Sequence, residues 1–187
     1  MGRRVIDLVE TIAWLDAAPD VHAARLLVLI SAFSGEDQSG AVEGLTKLAK
    51  LDFLLRYPVM LERALSAKGK SVRDVQLEDH ERFSVESEMV RYRFGPWDHR
   101  YREFLNILVG KGLVIVSVEG RKVVIATTAR GYEVACELQA SPVFQDYFRR
   151  STLLKRYFDV QATSLMRFIY ETFPEVVSLR TNEKITT

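Results

Sequence analysis

Apolar and polar positions follow two periods along this chain, and each change of period marks a new element. Between Asp98 and Gly110, the apolar residues Tyr101, Phe104, Leu105, Leu108 and Val109 fall at i, i+3, i+4, i+7 and i+8. That spacing lines one face of a helix. Gly110-Lys111-Gly112 tolerates positive φ and suits the helix C-cap. The period then shortens: Leu113 to Val118 and Val123 to Thr127 are largely β-branched, with Glu119-Gly120-Arg121-Lys122 between them as a hairpin turn. Thr127 or Thr128 can cap a further helix through its hydroxyl.

The same reading applies upstream. Residues 4–17 form a short amphipathic segment with Val5, Leu8, Val9, Ile12 and Leu15 on one face. Pro19-Asp20 restarts a helix, and Val21 to Phe33 is apolar almost all round, which places it centrally in the core. Ser34 to Gly40 is a loop by composition. The next helix turns Leu45, Leu48, Ala49, Leu51, Leu54 and Leu55 inward and is expected to carry Lys47, Lys50 and Arg56 outside. Pro58 opens a short helix through Leu65.

Ser66 to Glu88 holds four basic and six acidic residues with few apolar anchors, and reads as a mobile or partly ordered insertion. Met89 to Phe94 alternates, with Val90, Tyr92 and Phe94 on one face, and is expected as a third strand beside the later ribbon, ended by Gly95-Pro96. Ser141-Pro142 starts the final helical stretch, which runs to Phe173 before Pro174 stops it and the last residues fray.

A helix, a two-stranded ribbon and another helix make the second half of a winged helix. The expected fold is therefore mainly α with a small antiparallel β wing, an α+β class. A winged helix-turn-helix domain spans residues 19–140, with an insertion at about 66–88. It follows an N-terminal helical segment at 1–18 and precedes a C-terminal helical extension at 141–187.

Composition narrows the function. The 187 residues are 48% hydrophobic and 27% charged, which is ordinary for a globular protein with a sizeable core. Twenty-six Lys and Arg against 25 Asp and Glu leave +1, so any nucleic-acid surface must be local. The single cysteine, Cys136, excludes an internal disulfide and is expected as a reduced core residue. No run approaches the ~20 apolar residues of a membrane span, and the acidic residues near the start do not suit a signal peptide, so a cytoplasmic protein is expected.

Sites of chemistry are weak. Lys68-Gly69-Lys70-Ser71 resembles the end of a phosphate-binding loop, but Ala64 stands where the leading glycine belongs. Gly110-Lys111-Gly112 leaves a helix instead of entering one, unlike a dinucleotide fingerprint. His22, His80 and His99 are far apart and form no metal-ligand spacing. Nothing asks for an enzyme, a cofactor or a small-molecule substrate.

Two surfaces remain as candidates. Arg100, Arg102, Lys111, Arg121 and Lys122 could reach DNA, helix in groove and wing on phosphate. Phe144, Tyr147, Phe148, Leu154, Tyr157, Phe158 and Phe168, interleaved with arginine and lysine, exceed what one helix face needs and suggest a partner interface.

Two resemblances have residues behind them. Val123-Val-Ile-Ala-Thr-Thr-Ala-Arg-Gly-Tyr-Glu-Val-Ala135 is similar to the wing exit of many winged-helix proteins. Gly44 to Pro58, Tyr92-Arg-Phe-Gly-Pro-Trp97 and the aromatic tail together resemble the middle component of bacterial ABC three-component systems. These include the accessory subunit of Lamassu-type, SMC-like anti-phage defence complexes. The resemblance implies a non-catalytic subunit bridging an SMC- or Rad50-like ATPase and an effector, usually a nuclease, in anti-phage or anti-plasmid defence, beside double-stranded DNA. The alternative is a free-standing winged-helix transcription regulator.

Overall fold

The computed structural model describes residues 18–82, 90–92 and 95–178. The amphipathic segment expected within residues 4–17 and the expected fraying beyond 178 lie outside them.

Helix α1 (Pro19–Ser34) is the axis of the molecule. Its apolar residues run round the whole helix, and Leu26 to Ile30 are fully buried. A helix apolar on every side can only be stable with neighbours on every side, and α1 packs against six later elements, including the final strand of the sheet. Pro19 supplies the preset φ of a first turn, and Gly35, at φ +75°, closes the end by donating its N–H to Ser31 O.

Strand β1 (Val42–Glu43) follows, then helix α2 (Leu45–Arg56) and, after a break at Tyr57, helix α3 (Pro58–Ala67). Two 3-10 turns (Arg73–Val75 and Asp79–Arg82) lead towards a small ribbon, β2 (Val90–Tyr92) and β3 (Gly95–Trp97). Helix α4 (Tyr101–Gly110), strands β4 (Val114–Glu119) and β5 (Lys122–Thr127), and helix α5 (Ala129–Gln139) come next. The chain continues through α6 (Pro142–Phe158), α7 (Ala162–Thr172) and α8 (Pro174–Ser178).

The helix–ribbon–helix unit forms much as its pattern predicts. Gly112 takes φ +69° just past α4. β4 and β5 pair from Val114↔Thr127 to Glu119↔Lys122, so the loop is only Gly120-Arg121, with Gly120 at φ +64°. Thr128 Oγ1 accepts from the Gly131 N–H at 2.9 Å and donates to Gly112 O at 2.8 Å, so one hydroxyl joins both helix ends. Gly131 must lack a side chain: a Cβ there would lie 1.8 Å from Leu113 O.

The sheet order is β1-β5-β4, all antiparallel, with Val42↔Ile125 and Glu43↔Val124 joining β1 to β5. This corrects the expectation for Met89–Phe94. The described part of that stretch, Val90–Tyr92, pairs with Gly95–Trp97 in a separate ribbon, and the sheet's third strand is the two-residue β1. Alternation marks a strand but not its partner. For the same reason Gly95-Pro96 does not end strand structure but begins the return strand.

Further expectations change. Lys47, Lys50 and Arg56 are not on an outer face: all three are 4% exposed or less. α6, α7 and β3 all pack on α2; Lys47 pairs with Asp159 just past α6, and Arg56 with Asp98 between β3 and α4. Within Ser66 to Arg82, Val75 is buried and Arg150, 2% exposed, ties the segment to α6 through Val75 O, Gln76 O and both carboxylate oxygens of Glu81. Residues 83–88 of the expected insertion lie outside the described residues. Pro174 ends α7 but also opens α8, since proline is as well suited to a first turn as to a stop.

One core joins everything. Leu153, Leu154 and Phe158 of α6, with Leu165 and Ile169 of α7, share a buried cluster with α1, α2 and α4. Inside it lies a polar knot. Asp52, with no exposure, accepts from Arg25 Nε at 2.8 Å, Arg25 Nη2 at 3.1 Å and the Tyr101 hydroxyl at 2.8 Å. Arg25 Nη1 lies 2.6 Å from His22 Nδ1; a guanidinium only donates, so that ring nitrogen accepts. Burial alone would lower the Arg25 pKa, but the Asp52 carboxylate outweighs it and raises it; burial and the same carboxylate raise that of Tyr101.

Candidate interaction surface

The candidate DNA surface is built by α4 and the wing. Tyr101, Phe104, Leu105 and Leu108 anchor α4 inward, leaving Arg102, Glu103, Asn106 and Val109 outward. Arg102, Lys111 and Arg121 are exposed, and no ion pair holds them among the described residues. The other two candidates are engaged. Arg100 donates from Nε at 3.1 Å and Nη2 at 3.0 Å to Asp98, and its backbone N–H reaches the same carboxylate at 2.9 Å. Lys122 meets Glu43 Oε2 at 2.8 Å across β5 and β1.

Asp98 is a hub. Only 5% exposed, it also receives Arg56 Nη1 at 3.0 Å, so two guanidinium groups share one carboxylate. Burial acts to raise its pKa, but the hydrogen bonds from Arg100 and the charges of Arg56 and Arg100 win, bringing it down to about 2. Arg100 thus serves the start of α4 structurally. The Glu43 carboxyl is likewise lowered by the Lys122 ammonium.

The wing itself is apolar. Val116 and Val118 of β4 and Val123 of β5 share one face by their register, and they are 43%, 71% and 37% exposed. Further along the same face, Val114, Ile125 and Thr127 are buried in the body. The hairpin therefore continues its core-facing side beyond the end of the core. Ile115, on the opposite face, is 55% exposed.

The second candidate surface divides. Leu154 and Phe158 are fully buried inside the chain and cannot meet a partner, which corrects their assignment. Phe168 is half-buried, its ring tilted against Phe158 at 5.5 Å and capped by Lys68, whose ammonium lies about 5 Å from both rings. Phe144, Tyr147, Phe148 and Tyr157 are half-buried, and the last three pack one side against the core. Phe144 and Tyr147 stand 6.0 Å apart on adjacent turns of α6, and Arg156 lies over Tyr157 at 5.2 Å.

Cys136 is exposed, because Ala135 and Gly131 take the inward positions of α5. With Tyr132, Phe148 and Arg149 it borders an open cavity of about 370 Å³ between α1, α5 and α6. No group of three His, Cys, Asp or Glu able to hold a metal occurs among the described residues. No helix among them is long and apolar enough to cross a membrane.

The exposed wing valines and the Asp52 knot were missed at the sequence level. The β-branched runs marked two strands, but not which face is exposed or where the body beneath them stops. No family model, curated protein or solved structure matches this chain.

Proposed function

We propose that this chain is a non-catalytic winged-helix subunit that works by holding other proteins together. The order α1-β1-α2, then α4-β4-β5, with β1 beside β5, supports a winged-helix reading. In that reading α4 takes the place of the groove-reading helix, and α3 to β3 is an insertion before it.

The observation that carries the reading is the character of the wing. A wing that grips phosphate needs free cations at its tip. Here Lys122 is held by Glu43, which leaves Arg121 as the one tip cation without an ion pair among the described residues, while three valines are exposed on one face. Contiguous exposed apolar surface marks protein contact. The half-buried Phe144, Tyr147, Phe148 and Tyr157 offer a second, aromatic surface of the kind found at interface centres.

The partners follow from the resemblance to ABC three-component middle subunits: an SMC- or Rad50-like ATPase and an effector, in anti-phage or anti-plasmid defence in the cytoplasm. DNA is touched weakly, through Arg102, Lys111 and Arg121. The second reading, a winged-helix transcription regulator, is favoured by those same three exposed cations. Fluorescence anisotropy with the gene's own promoter and a random duplex separates the two. The subunit reading expects weak binding without preference and a shallow salt dependence, set by about three phosphate contacts. Strong preference for the promoter with a steep salt slope would favour the regulator.

A further inference from the structure

We propose that β4 is the seam of a weak symmetric dimer, in which two copies of this chain pair their β4 strands antiparallel. Among the described residues the sheet order is β1-β5-β4, so the outer edge of β4 carries no strand partner. Natural edge strands are guarded by lysine, proline, a bulge or shortness. β4 has none of these: it is six residues long and uncharged from Val114 to Val118.

The occupant follows from self-complementarity. A two-fold axis perpendicular to the sheet keeps like faces on the same side, so a residue must pair with one of its own parity. Centred on Ser117, such pairing sets Val116 of each copy against Val118 of the other and Ser117 against Ser117. Valine meets valine on one face, with Val123 flanking, and hydroxyl meets hydroxyl on the other, both favourable cross-strand pairs; Ile115 against Glu119 on either side of the serines is the weaker pair of the register. A charge-selected foreign strand finds no handle on these five residues.

The area sets the strength. Val116, Val118 and Val123 leave roughly 250 Å² in solvent per copy on one face, and Ile115 about 100 Å² on the other. Edge pairing covers only part of this, so two copies, with the main chain of the edge, bury under about 1,000 Å², the range of weak and transient contacts. Interfaces of that size are transient, and a Kd in the micromolar range is the value the test is built around. This pairing does not depend on the subunit reading.

The test uses the full chain in sedimentation-velocity runs from about 1 to 200 µM, spanning that Kd. The mean mass should climb towards twice the monomer value, and Val118→Lys should hold it at the monomer value while circular dichroism stays unchanged. In a Cys136→Ser background, Ser117→Cys should form a disulfide-linked dimer under mild oxidation, and adding Val118→Lys should suppress it. A monomer throughout, or a dimer that ignores Val118→Lys and fails to cross-link at position 117, overturns the proposal. Co-purification with an ATPase by the Val118→Lys variant would leave the subunit reading standing whatever happens to the dimer.

Discussion

Removing the carboxylate of Asp52 is the sharpest perturbation of this fold. Asp52→Asn keeps the shape and removes the charge. Arg25, 3% exposed, then keeps its guanidinium in the core without its countercharge, and two of three bonds to the carboxylate lose their charge-assisted partner. Breaking a buried ion pair by removing one partner costs about 3–5 kcal/mol. A chain of this size has on the order of 5–15 kcal/mol in all. The loss should lower Tm by ~6–20 °C, at ~2–4 °C per kcal/mol. Urea unfolding followed by Trp fluorescence measures it, with the midpoint shift read at constant slope. The exposed pair gives the control: Lys122→Ala should cost about 0.2–1 kcal/mol. If Asp52→Asn cost less than about 1 kcal/mol, the knot would not be what fastens α1, α2 and α4.

Other positions respond differently. Burial lowers the Lys50 pKa to about 8 from 10.5, so the unfolded chain holds more protons between those values and stability should rise with pH across that window. Lys50→Met should stabilise the protein by up to ~3 kcal/mol at pH 7, read as a later urea midpoint, since each unit is worth ~1.36 kcal/mol. Asp98 has the opposite sign. Its pKa falls from 3.8 to about 2, so its contribution of ~2 kcal/mol is complete above pH 4 and disappears as pH drops towards 2. Acid titration of Asp98→Asn should lack that step. Gly131→Ala drives a methyl into Leu113 O and should cost ~2 kcal/mol or more in thermal unfolding.

Much of the local architecture was legible. The 3.6-residue period of α4, the β-branched run of the hairpin and the Thr128 cap are local features, set by backbone sterics and nearby hydrogen bonds. What failed was non-local. Lys47, Lys50 and Arg56 look solvated on a helical wheel, and only the packing of α6 and α7 against α2 shows them buried. Arg25 and Asp52 are 27 residues apart, and their pairing is invisible until α1 and α2 meet. The candidate site divided in the same way. Exposure of Arg102, Lys111 and Arg121 followed from polarity, whereas Glu43 holding Lys122 depended on β1 joining the sheet.

The central claim, a subunit that docks proteins without catalysing, is tested most directly by affinity purification of the tagged chain co-expressed with the products of its neighbouring genes. The account predicts recovery of an SMC- or Rad50-like ATPase in fixed ratio. It also predicts that Tyr147→Glu together with Phe148→Glu reduces that recovery tenfold or more, the loss of about 1.4 kcal/mol or above expected of interface anchors. Recovery of the chain alone, together with tight and selective binding to its own promoter, would contradict it.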